Sequence, residues 1–158
     1  PWINRLLGGW SLGILYIRES GRHFSVYSGR ENLYADVQSL ASYGNTRPAG
    51  SLFKHEGIVY WFGSDQAELF THPGAGEIAV SGRNSFEGPE YSNLDAVLHK
   101  KFSWRENRYV QFRIEAFNLF NKTHFALPNN NMGNSDFGII RSTSGRPRSL
   151  QLALRLGF

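Results

Sequence analysis

The clearest pattern in the chain is strict alternation of apolar and polar positions at its end. Residues 148–158 read Arg-Ser-Leu-Gln-Leu-Ala-Leu-Arg-Leu-Gly-Phe. Leu150, Leu152, Leu154, Leu156 and Phe158 fall on one face, and Ser149, Gln151, Ala153, Arg155 and Gly157 on the other. Period two marks a β-strand, because successive side chains point to opposite faces. Soluble strands average about 5–6 residues. A tilted membrane strand needs about 9–11. Taken alone, the segment fits a membrane strand or an amphipathic strand of a soluble sandwich.

Three further segments alternate in the same way. Residues 108–119 place Val110, Phe112, Ile114 and Ala116 opposite Gln111, Arg113 and Glu115. Residues 93–104 place Leu94, Ala96, Leu98, Phe102 and Trp104 on one face, interrupted by Lys100, and Asp95, Val97, His99 and Lys101 on the other. Residues 9–18 set Trp10, Leu12, Ile14 and Tyr16 on one face, with Leu15 and Ile17 making the other partly apolar. None of these segments carries a convincing helical i, i+3, i+4, i+7 stripe. The expected fold is therefore all-β: an antiparallel meander of about four long membrane strands near 9–20, 92–103, 108–119 and 148–158.

The connections differ in length. Residues 103–107 predict a tight hairpin. Residues 21–91 and 120–147 are long. The second is dense in turn formers such as Asn129-Asn130-Asn131, Gly133-Asn134 and Ser144-Gly145. The first is too long to be structureless and predicts short strands of its own, near 22–27 and 57–62. Short turns on one side and long loops on the other are the pattern of an outer-membrane barrel.

That reading assigns the faces. Asp95, His99, Lys101, Gln111, Arg113, Glu115, Gln151 and Arg155 would line a wet lumen. Leu94, Leu98, Val110, Phe112, Ile114, Leu150, Leu152, Leu154 and Leu156 would face lipid. With Phe158 at the short-turn level, Trp10, Phe102, Trp104 and Tyr109 fall beside it, and Tyr91, Phe117 and Phe120 at the opposite level, as two aromatic girdles. Lys100 would sit near the lower rim, where its long stem can snorkel to the interface.

Composition narrows the alternatives. The 158 residues include twelve Phe, seven Tyr, four Trp and no Cys. The missing Cys excludes a disulfide scaffold, a thiolate zinc site and a cysteine enzyme. The aromatics argue against disorder. The formal charge of +4 is not gathered into a basic stripe, so no nucleic-acid partner is expected. Scattered Arg within 19–31 and 141–148 suit anionic lipopolysaccharide instead. His23, His55, His72, His99 and His124 lack metal-site spacing. Asn129–Asn131, Asn134 and Asp136 lack the ordered spacing of a calcium loop and suit turn chemistry. Asn121-Lys122-Thr123 fits a glycosylation sequon, read as chance. No phosphate loop, nucleophile elbow or paired-acid motif appears, so neither catalysis nor a cofactor is expected. The apolar run 6–17 is too short for a membrane helix. Gly8, Gly9 and Gly13, and the lack of a small-x-small cleavage site, argue against a signal peptide. With Pro1 first, the chain reads as a piece of a longer one.

The ordered series Leu7-Gly8-Gly9-Trp10, Ser20-Gly21-Arg22, Phe24-Ser25-Val26, Trp61-Phe62, Gly82-Arg83-Asn84, Gly88-Pro89, Asn93-Leu94-Asp95 and Gln111-Phe112-Arg113-Ile114-Glu115-Ala116-Phe117-Asn118-Leu119-Phe120-Asn121, followed by Phe125, Pro128, Phe137-Gly138 and the terminal strand, resembles the C-terminal part of TonB-dependent outer-membrane receptors of the Oar-like group. Residues 45–60 carry no resemblance. Gln151, Ala153, Leu156 and Phe158 look like the β-signal read by the outer-membrane assembly machinery, with Ala153 in place of the usual Gly. The resemblance implies a barrel of about twenty-two strands with a plugged lumen. It implies four partners: membrane lipid with lipopolysaccharide, the rest of the barrel and its plug, the TonB complex reached through other parts of the receptor, and the assembly machinery. The competing expectation is a soluble β-sandwich module that binds carbohydrate through exposed Tyr60, Trp61 and Phe62.

Overall fold

The computed structural model describes Ile3 and residues 7–31, 38–105 and 108–158. In chain order its strands are β1 (Trp10–Glu19), β2 (His23–Phe24), β3 (Tyr27–Glu31), β4 (Gln38–Leu40), β5 (Ser42–Tyr43), β6 (Phe53–His55), β7 (Ile58–Tyr60), β8 (Phe70–Thr71), β9 (Phe86–Glu87), β10 (Tyr91–Arg105), β11 (Arg108–Phe117), β12 (Ile139–Ile140) and β13 (Ser149–Gly157). One short helix, α1 (Ser64–Ala67), lies between β7 and β8. The chain divides into two compact units. The first holds Pro1–Arg18, Ser92–Thr123 and Gly145–Phe158, and the second Glu19–Tyr91 and His124–Ser144.

The first unit is one antiparallel sheet in the order β1-β10-β11-β13. The expected all-β meander of long strands is the observed fold. Its register follows the alternation read from sequence. Leu98 pairs with Ile114 and Ile114 with Leu152, while Lys101 pairs with Gln111 and Gln111 with Arg155. At the β1 edge the Lys101 N–H donates to the Gly9 carbonyl at 2.9 Å. Gly9 has φ 73° and sits so close that a Cβ would come within 2.6 Å of the Lys101 oxygen. Only glycine satisfies both demands. The ladder slips between Ser103 and Arg105, a bulge centred on Trp104. Residues 106–107, the tip of the expected hairpin, lie outside the described residues. β11 stops at Phe117 rather than at 119, because Asn118 adopts φ 51° and turns the chain out of the ladder.

The second unit is made from the two long connections. It has a core of its own: Phe24, Val26, Ala41, Phe62, Phe70 and Phe86 are buried, with Tyr43, Trp61, Met132 and Phe137 packed on them. Phe62 lies at its centre, with ring centroids 5.1 Å from Phe70, 5.8 Å from Phe137 and 5.9 Å from Phe86. Short ladders enclose this core: β2-β9, β3-β4, β5-β8 and β6-β7-β12. The strands expected within 22–27 and 57–62 include β2 and β7. The asparagine run closes the second connection by turn chemistry. Asn129 Oδ1 accepts the Asn131 N–H at 3.0 Å and Asn131 Oδ1 that of Gly133 at 2.8 Å, while Asn130 Nδ2 donates to the Ser25 carbonyl at 2.7 Å. Asp136 accepts from Asn129 Nδ2 and Arg141 Nε, both at 2.6 Å. The Arg141 guanidinium holds its carboxyl below the ordinary carboxylate value.

Candidate functional site: a sheet with two unlike faces

The site is the long sheet, built row by row from the ladder. One face stacks Phe102-Val110-Leu156, Lys100-Phe112-Leu154, Leu98-Ile114-Leu152 and Ala96-Ala116-Leu150. Trp10, Leu12, Ile14 and Tyr16 of β1 continue it, since Gly9 and Gly13 lie against Lys101 and Val97 of the opposite face. This apolar face is bare. Leu12 is 64% exposed, Leu152 79% and Leu156 60%. A water-soluble domain rarely leaves so large a contiguous apolar surface uncovered. The soluble sandwich required this face to be covered.

Lys100 lies within that face, whereas Arg18 and Arg108, which share its parity, stand at strand ends, and it is only 4% exposed. Its Nζ lies 4.9 Å from the ring centroids of both Trp10 and Phe102 and donates to the Gly8 carbonyl. Two ring faces and a carbonyl thus replace the water that the ammonium has lost.

The other face stacks Lys101-Gln111-Arg155, His99-Arg113-Ala153 and Val97-Glu115-Gln151. Arg113 pairs with Glu115 on its own strand. Gln111 Nε2 and His99 Nδ1 meet across strands at 3.0 Å. Asp95 lies within β10 beside the end of β11, where its Oδ1 accepts from the Asn118 N–H and from Asn93 Nδ2, each at 2.8 Å.

The aromatic residues divide differently from the expectation. Trp10 and Phe102 belong to the apolar face. By register Tyr109 alternates with Val110 and Phe117 with Ala116, so both lie on the polar face. Tyr109 has two partners there. Lys101 Nζ stands 4.3 Å from its centroid, and its ring lies over Gly157 so closely that a Cβ on that glycine would collide with it. Trp104 sits at the bulge. Phe120 and Phe158, beyond the ends of β11 and β13, are exposed. Among Tyr60, Trp61 and Phe62, the proposed exposed sugar platform loses Phe62, which is 1% exposed at the centre of the phenylalanine core.

Asn118 has a role that the alternation does not reveal. It is 6% exposed. Its Nδ2 donates to the carbonyls of Lys122 at 3.0 Å and Arg146 at 3.1 Å, and its Oδ1 accepts the Lys122 N–H at 2.9 Å. With Asp95 on its own N–H, it joins β10, the turn after β11 and the approach to β13. The sequence signal for it was an Asn directly after the last alternating residue, a residue type that tolerates φ above zero.

A single-layer antiparallel sheet, apolar and bare on one face and ionic on the other, defines the wall of a membrane β-barrel, where the two faces meet different solvents. The chain belongs to the outer membrane beta barrel domain family, whose profile matches residues 1–151. Its place is accordingly the bacterial outer membrane. The match stops at Gln151, so Ala153, Leu156 and Phe158 lie beyond it. No curated protein and no solved structure matches the chain.

Proposed function

We propose that the chain is part of the wall of a TonB-dependent receptor of the Oar-like type, which binds or imports a bulky solute without catalysis. The observation that carries this reading is the position of its most family-like segment. Gln111–Asn121 makes up most of the central strand β11 and all of the Asn118 turn that ties neighbouring strand ends together. The sheet also supports a larger barrel. β1 and β13 are its edges, lipid tolerates no open edge, and closed membrane barrels begin at about eight strands. The partners of those edges are then further strands of the same receptor, about twenty-two in all.

In this reading the leucine face meets lipid and the Lys101, Arg113 and Arg155 face meets the lumen and plug. The terminal strand from Gln151 to Phe158 is what the assembly machinery captures by strand addition. The test uses the full-length receptor, extracted in detergent from outer membranes and passed over the immobilised periplasmic domain of TonB. Retention is the expected outcome. An intact receptor that is not retained, and whose variant lacking the TonB-contacting box supports growth and uptake equally well, overturns TonB dependence.

A further inference from the structure

The second unit contains a cleft of about 450 Å³, within the range of small-ligand sites. One wall is the strap Arg47–Gly50. It is held by the Ala49 N–H on Gln66 Oε1 at 2.9 Å, by Arg47 on the Ser85 carbonyl, and by the Ser51 N–H on the Trp61 carbonyl at 2.9 Å. The facing wall is Trp61 and the Phe86–Gly88 strand end, with Glu90 at the rim.

The indole is fixed before any ligand arrives. The Trp61 N–H donates to the Gly138 carbonyl at 2.8 Å, its carbonyl accepts from Ser51, and its Nε1 donates to the Glu87 carbonyl at 3.1 Å. Gly50 lets the strap cross the indole edge, since a Cβ there would overlap the ring. The guanidinium of Arg47 is pinned by its hydrogen bond and lies 5.4 Å from the Phe86 ring centroid. Side chains locked in this way bind a ligand at low entropic cost.

The cleft's chemistry selects a ligand class. Arg47 offers several N–H donors, Glu87 and Glu90 offer carboxylate oxygens, and Trp61 offers a flat apolar surface. Glu87, whose Oε1 accepts the Gly21 N–H at 3.0 Å, and Glu90 repel an anion and Arg47 disfavours a cation, while a purely apolar ligand would face three charged side chains. A neutral molecule with donors and acceptors on its edges and C–H groups on its faces satisfies every group. We propose that this cleft binds a neutral oligosaccharide, with one sugar ring over Trp61 and vicinal hydroxyls shared between Arg47 and the glutamates. The proposal rests on the receptor reading only in supposing that the second unit meets external solutes.

The test applies detergent-solubilised full-length receptor to an array of neutral oligosaccharides, with titration calorimetry on the sugars retained. Arg47→Ala and Glu90→Gln, both at exposed positions, are expected to weaken binding at least tenfold, and Trp61→Ala to abolish it. Retention of no oligosaccharide, or equal binding by wild type and the two rim variants, overturns the proposal. TonB retention is measured on the same preparations. If sugar binding persists and responds to the variants while TonB retention fails, the receptor reading falls and the cleft stands. The converse result removes the cleft alone.

Discussion

Leu154 and Ala153 are adjacent in sequence and opposite in environment. Leu154 lies in the row Lys100-Phe112-Leu154, 59% exposed on the apolar face, and Ala153 pairs with Arg113 on the polar one. If the apolar face meets lipid, an arginine there near mid-membrane costs about 2–4 kcal/mol. On the polar face an added arginine meets water and pays only for its like-charged neighbour, at most about 1 kcal/mol. Leu154→Arg is therefore expected to lose at least twice the stability of Ala153→Arg in urea unfolding of the full-length barrel protein in lipid. Equal losses would reject the assignment of faces. Lys100 shows what a charge on the apolar face requires: a carbonyl and two rings positioned to receive it. Leu154 has no such arrangement prepared for it.

At the scale of elements, β10, β11 and β13 are joined at one end by Asn118. Removing its amide strands buried carbonyls and N–H groups, worth about 1–3 kcal/mol. Alanine also strains the φ of 51°, by about 1–2 kcal/mol. Asn118→Ala is expected to cost about 2–4 kcal/mol and Asn118→Gly clearly less, since glycine adopts that φ freely. The midpoint of the heat-induced gel shift of the folded barrel measures both, and a glycine variant as impaired as the alanine one would remove the backbone part of the argument. The long strands were legible in sequence because alternation is read many times over in β10, β11 and β13, each turn of the pattern supporting the next. The second unit was not. Its strands are two to five residues long, too short to show a period. Phe24, Phe62, Phe70 and Phe86 converge from separate strands and loops at spacings that carry no pattern. Tyr109 and Phe117 share the parity of Gln111, Arg113 and Glu115, so their place on the polar face was already contained in the alternation. Trp61 was visible as an aromatic, whereas its cleft depends on a strap that only the folded chain brings to it.

For the whole molecule, the sheet ends on one side in β13, whose outer backbone groups have no partner strand among the described residues. An edge with unpaired N–H and C=O groups must be paired before it can reside in lipid, and until then it is a template for strand addition. Phe158 projects just beyond that edge, 97% exposed, in line with Leu156. Among the described residues it makes no ring contact, so these four strands do not pack on it. If its role is instead to be gripped during assembly, deletion lowers the amount of barrel reaching the surface without lowering the stability of what arrives. Quantitative surface labelling of cells making the full-length barrel protein is expected to fall at least severalfold on deletion of Phe158, while the unfolding midpoint of the barrel that does assemble stays at the wild-type value. If β13 carries an assembly signal, Ala153→Gly, which places there the glycine that the resemblance leads one to expect, leaves surface levels equal or higher. Undiminished surface levels without Phe158 would mean that β13 is recognised through its backbone edge and leucine face alone. A fall in both level and midpoint would make Phe158 a structural anchor of the wall instead.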